Sequence, residues 1–117
     1  MLLLAAVLTS ALPAGCSLGP KNFRAMRHSA PIVRARAVGK GDGRPSSEVV
    51  PALIRNLDDT DPVVRLTAHE ELRKRTGQDF GFVPWSGPAE RQRASTRWRS
   101  WWAGRRQAGV AKPGRMP

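Results

Sequence analysis

Cysteine is almost absent from this chain. Among 117 residues there is one, Cys16, which excludes an internal disulfide and any thiolate cluster for zinc or iron–sulfur. Acid is scarce as well: nine Asp and Glu stand against 20 Lys and Arg, a formal charge of +11, and 16 of those 20 cations are arginine. Such a surplus suits an anionic partner, whether nucleic acid, lipid headgroups or an acidic protein, and selects none of them. Charge is missing altogether from residues 1–15, and no Lys or Arg precedes Lys21. Histidine is limited to His28 and His69. A metal centre needs three or four converging ligands, so neither a metal nor another cofactor is expected.

What the chain does have is a series of helix signals, of which Asp61 to Gly77 is the clearest. Asp61 is a good N-cap, Pro62 suits the first helical position, and Gly77 stands where a helix commonly ends in a left-handed residue. Between them Val64, Ala68 and Leu72 repeat at i, i+4, i+8, which leaves His69 and Glu70 as exposed side chains. Upstream, Ser46 to Leu57 places Val50, Leu53, Ile54 and Leu57 on one helical face, with Ser46 or Ser47 as cap. Asp58 to Asp61 makes a tight turn between these two helices. A shorter helix is expected from Pro31, capped by Ser29 and ended by the glycines at 39, 41 and 43. Towards the C-terminus, Ala89 to Ala103 forms a helix ending at Gly104, with Ala94, Trp98, Trp101 and Trp102 on one stripe.

An internal repeat links the first two regions. Pro31, Val33, Arg34 and Ala37 recur 31 positions later as Pro62, Val64, Arg65 and Ala68, and Ile32 is answered by Val63. The pattern P-x-V-R-x-x-A resembles the HEAT-like repeats of the bilin-lyase type. That resemblance implies an all-α fold, a short α-solenoid of antiparallel helix pairs in which proline opens the second helix of each pair. Valine and alanine would face the neighbouring repeat. Arg34 and Arg65 would be structural, reaching acidic or carbonyl groups of an adjacent turn, with Asp58, Asp59 and Asp61 as partners. The ending, T-G-Q-D-F-G-F-V-P-W followed by the tryptophan helix, is similar to that of a group of small bacterial HEAT-repeat proteins, many of them lipoproteins. A solenoid needs an atypical terminal unit to close its core, and the Trp-rich helix with Phe80, Phe82 and Trp85 is expected to be that C-terminal cap.

The N-terminus carries its own resemblance. Residues 2–8 are all apolar, small residues follow, and Ala14-Gly15-Cys16 resembles the cleavage site of bacterial lipoprotein signal peptides, in which the cysteine receives a lipid. The resemblance implies lipidation at Cys16 and a protein held at the bacterial cell membrane or in the periplasm. A transmembrane helix is disfavoured, since 15 residues interrupted by Pro13 fall short of the roughly 20 needed to span a bilayer. A buried first helix would show a polar face, and none appears before Thr9.

Three motifs look chemical without their context. His69-Glu70 resembles the iron-binding pairs of a HEAT-repeat hydroxylase, but that chemistry needs several facing pairs and this chain has one. Asp79-Phe80-Gly81 spells the kinase magnesium motif with no phosphate loop, strand lysine or catalytic loop beside it. Gly39-Lys40-Gly41-Asp42-Gly43 follows no strand and reads as a flexible turn. The run Arg91 to Arg106 could in principle contact phosphates and stack bases. Its tryptophans fall on one stripe, however, which favours a core-facing helix over a nucleic-acid surface.

The sequence therefore divides into a signal peptide over 1–15, a tether over 16–28, a repeat domain with its cap over 29–104 and a disordered basic tail over 105–117. The foldable part is roughly 80 residues. The expected role is a non-catalytic, membrane-tethered module for an unknown protein partner, with a basic adaptor for nucleic acid or another anionic polymer as the alternative.

Overall fold

The computed structural model describes residues 22–110, and side chains as far as residue 108. The segment expected to be a signal peptide, Cys16 and the end of the expected basic tail lie outside the described residues. Within them the protein is all-α, with no strand. A 3-10 helix, Phe23–Arg27, leads into α1 (Pro31–Val38) and a 3-10 turn, Gly39–Gly41; α2 (Ser46–Asn56), α3 (Pro62–Thr76) and α4 (Pro88–Val110) follow.

Local signals place α3 where the sequence puts it. The Asp61 carboxylate accepts from the amides of Val63 at 2.8 Å and Val64 at 3.2 Å. Gly77 ends the helix at φ +71°, its amide donating 2.8 Å to the Arg73 carbonyl. Val64, Ala68 and Leu72 are fully buried, and α3 packs against both α1 and α2. The other ends are built differently. Ser29 does not cap α1; Ala30 is the N-cap, its amide donating to His28 Nδ1. Ser46 and Ser47 do not cap α2 either. They form its first turn behind Pro45, and no side chain accepts from that turn.

The core runs through all four helices. Val50, Leu53, Ile54 and Leu57 are buried as expected, and Val49 and Ala52 on the flanking face of α2 are buried too. The reason is that α2 packs on both α3 and α4, while Val49 also meets the turn at Gly41. Phe23, Ala25 and Met26 belong to this core, so the described part of the expected tether is folded against the domain. Gly41 shows how close that approach is: a Cβ there would sit 3.0 Å from Val49 and 3.1 Å from Phe23.

Trp98 and Ala94 on α4 are buried, with Trp101 and Trp102 half-buried against the same core. The expectation that this helix stops at Gly104 and gives way to a disordered tail at 105 is corrected, since α4 continues to Val110. Glycine in a helix interior costs only about 1 kcal/mol relative to alanine. The Arg-Arg-Gln-Ala segment beyond it consists of good helix formers, so the single glycine does not stop the helix.

Candidate functional site

Arg34 and Arg65 occupy equivalent places and do equivalent work. Nη1 of Arg34 donates to the carbonyls of His28 and Ser29 at 2.9 and 2.8 Å, and Nη1 of Arg65 to those of Asp59 and Thr60 at 2.8 and 3.0 Å. In each case the acceptors lie six and five residues upstream, at the entry to the arginine's own helix. Each arginine then reaches forward. Arg34 forms a bidentate pair with the Asp59 carboxylate, both contacts at 2.8 Å, and Arg65 Nε donates 2.7 Å to the Pro84 carbonyl. Val33, Ala37, Val64 and Ala68 are buried beside them, while Pro31 and Pro62 open their helices.

The electrostatics follow from burial. Desolvation pulls the Arg65 guanidinium below its ordinary value, and the charge of Arg91 adds to this against Asp59 and Asp61. Burial alone would push the Asp59 carboxyl up. The hydrogen bonds from Arg34 and the Asp61 amide, with the charges of Arg34 and Arg65, outweigh it and hold Asp59 below the usual carboxylate value. Of the other expected partners, Asp61 serves as a cap and Asp58 pairs with Arg99 of α4.

Residues 78–87 carry no regular structure, yet they are fixed at several points. The Phe80 carbonyl is gripped by Nε and Nη2 of Arg97 at 3.1 and 2.9 Å, the Pro84 carbonyl by Arg65, and the Ser86 carbonyl by Arg91. Phe80 adopts φ +60°, and its ring stands edge-on to Trp98 at 4.8 Å. Asp79-Phe80-Gly81 is a side-chain-stabilised turn, with the Gly81 amide donating 3.0 Å to Asp79 Oδ1. His69, expected to be exposed, is only 4% exposed. This loop covers it, with the Phe82 and His69 ring centroids 5.2 Å apart and the Asp79 carbonyl 3.3 Å from Nε2. Periodicity within α3 could not reveal a lid supplied by residues ten and more positions away. Arg65 and His69, one turn apart, are both roofed by it. Glu70 does stay exposed, beside Arg73. Among the described residues no three His, Cys, Asp or Glu side chains gather closely enough to hold a metal.

With its backbone fixed, the loop presents its remaining apolar side chains to solvent. Trp85 is 71% exposed and Val83 39%, on either side of the Pro84 whose carbonyl holds Arg65. Val63 and Leu66 on the neighbouring first turns of α3 are exposed as well, and Ile32 is exposed at the equivalent position of α1. Seven of the nine acidic residues are committed to ion pairs. Among the described residues Arg65, Arg91 and Arg97 are spent on backbone carbonyls, and Arg24, Arg27, Arg36, Arg55, Arg93, Arg105 and Arg106 have no carboxylate partner. No family model matches this chain, and neither the curated proteins nor the solved structures contain a match to it.

Proposed function

We propose that the chain is a non-catalytic protein-interaction module, a short HEAT-like solenoid with a Trp-rich cap, held at a bacterial membrane through lipid on Cys16. The observation that carries the binding role is Trp85, a large aromatic left in solvent on a backbone that Arg65 and Arg91 pin on either side. Rigid, exposed aromatics are the residues around which protein interfaces concentrate their energy. Val83 is exposed two positions away on the same loop, and the surplus of arginine without a carboxylate partner favours a partner with acidic residues at the rim. The paired arrangements of Arg34 and Arg65, with the same upstream acceptors and a forward contact each, support the repeat reading.

The anchor rests on Ala14-Gly15-Cys16 and the apolar run before it. No helix among the described residues is long and apolar enough to cross a membrane. Fatty-acid labelling in a bacterial host is expected to mark the natural chain and not Cys16→Ser; equal labelling of both, or of neither, removes the anchor. For the partner, capture from membrane extracts with the full chain as bait is expected to enrich one protein that Trp85→Ala no longer retains. A capture profile indifferent to that change would remove Trp85 from the interface.

The alternative, a basic adaptor for nucleic acid or another anionic polymer, draws on Arg93, Arg105 and Arg106. It loses support from Arg91, Arg97 and Arg99, which are spent on Ser86, Phe80 and Asp58, and from Trp98, which is buried. Binding to a single-stranded oligonucleotide at low salt that weakens steeply with added salt would favour it.

A further inference from the structure

The start of α2, the end of α3 and the second half of α4 enclose a cleft of about 330 Å³ that the partner-binding reading does not use. Its polar lining consists of donors. Arg75 from α3 and Arg105 and Arg106 from α4 supply three guanidinium groups, and Ser46 and Ser47 add two hydroxyls, a third, that of Thr76, being spent on the Leu72 carbonyl. These serines form the first turn of α2, where no side chain accepts from the amides. At the start of α3, by contrast, the Asp61 carboxylate fills that role. An uncapped helix start presents N–H groups and a partial positive charge to whatever occupies the space before it.

A second and separate observation points to a missing acceptor. Four side-chain nitrogens among the described residues are covered by protein and have no hydrogen-bond partner, and two of them, Nε of Arg75 and Nε1 of Trp102, belong to side chains that line this same cleft, while Asn56 Nδ2 and Trp98 Nε1 do not. Such unpaired donors are uncommon in folded proteins and carry a desolvation cost. The carboxylate nearest Arg75 is Asp42, 3.5 Å from Nη2 and largely exposed, so the cleft's cationic character is only partly offset. Arg105 lies over the Trp101 ring at 5.1 Å, which holds its charge at the rim.

We propose that this cleft binds a phosphate ester. Three guanidiniums, two hydroxyls and open helix amides outnumber what a carboxylate's two oxygens can accept, and they suit a tetrahedral group with several acceptor oxygens. The volume exceeds that of a phosphate alone, and Val50, Trp101 and Trp102 give the remainder apolar and aromatic surfaces for an organic group. The cleft takes the phosphate whether it is carried by a soluble metabolite or by a lipid headgroup, and the site is independent of Trp85.

The test uses the full chain with three probes: inorganic phosphate, glycerol 3-phosphate, and vesicles containing phosphatidic acid against phosphatidylcholine alone. Tryptophan fluorescence and calorimetry are expected to show saturable one-to-one binding to a soluble phosphate, the organic one more tightly, or selective binding to phosphatidic acid vesicles. The two arms distinguish the source. Arg106→Gln, an exposed change, is expected to weaken binding about tenfold. Ser47→Asp is the sharper variant. A carboxylate at a helix start stabilises the helix, so this protein should melt at a higher temperature while losing phosphate binding tenfold or more. Absence of binding to all three probes overturns the proposal. So does binding that Ser47→Asp and Arg106→Gln leave unchanged, or an oligonucleotide that binds more tightly and ignores Ser47→Asp.

Discussion

Arg65 is the side chain on which most local structure converges, and lysine cannot replace it. Its fork reaches the carbonyls of Asp59, Thr60 and Pro84 at once, whereas an ammonium on a flexible stem cannot match three separated acceptors. Arg65→Lys is expected to cost about 2–3 kcal/mol in urea unfolding, since it leaves buried carbonyls without donors. Asp59 sets a pH dependence. Its carboxyl is held below its ordinary value of 3.8, so it binds a proton more readily unfolded than folded. Its contribution is therefore full well above pH 3.8 and is lost as the pH falls through the lower, folded value. Thermal unfolding of Asp59→Asn should show a smaller loss of stability between pH 5 and pH 2 than the natural chain. The role of these arginines was legible in the sequence because the same residue recurs in the same context 31 positions apart. Which carbonyls they bind was not, because Pro84 is brought to Arg65 by the path of a loop.

At the scale of elements, α3 was legible from both ends inward, because its Asp61-Pro62 start and Gly77 stop act through local backbone geometry. Helix α4 was legible in its stripe and not in its length. A glycine stops a helix when the chain must turn left-handed, as Gly77 does at φ +71°; Gly104 has no such φ and is simply carried along. Two opposite outcomes follow. Gly104→Ala, where an added Cβ meets nothing within 4 Å, should raise stability by about 0.5–1 kcal/mol. Gly77→Ala forces a Cβ into the left-handed region and should lower it by about 1–2 kcal/mol. Thermal melts of the two variants side by side give the comparison. The uncapped start of α2 could not be read from the sequence either, since Ser46 and Ser47 are standard capping residues. Only their placement behind Pro45 turns them into first-turn residues facing a cleft.

For the whole molecule, Trp98 closes the core, fully buried between the 78–87 loop and the rest of α4's stripe. Trp98→Ala is expected to cost about 3–5 kcal/mol, enough to unfold much of the population of so small a domain in a denaturant titration. Trp85→Ala should leave the unfolding midpoint nearly unchanged. Trp98 lies on the core-facing stripe of α4 and was legible there, whereas Trp85 belongs to the irregular loop, where no period tells which way a side chain faces.

Asp59 holds a further consequence, one of cooperativity. Its carboxylate takes the forward reach of Arg34 while its carbonyl takes the backward reach of Arg65. Both clamps thus pass through a single residue, and the first helical unit cannot swing away without loosening the grip on the next. Native-state hydrogen exchange should accordingly find α1 and α3 opening together, with one free energy, and not as a chain that frays from its N-terminal end.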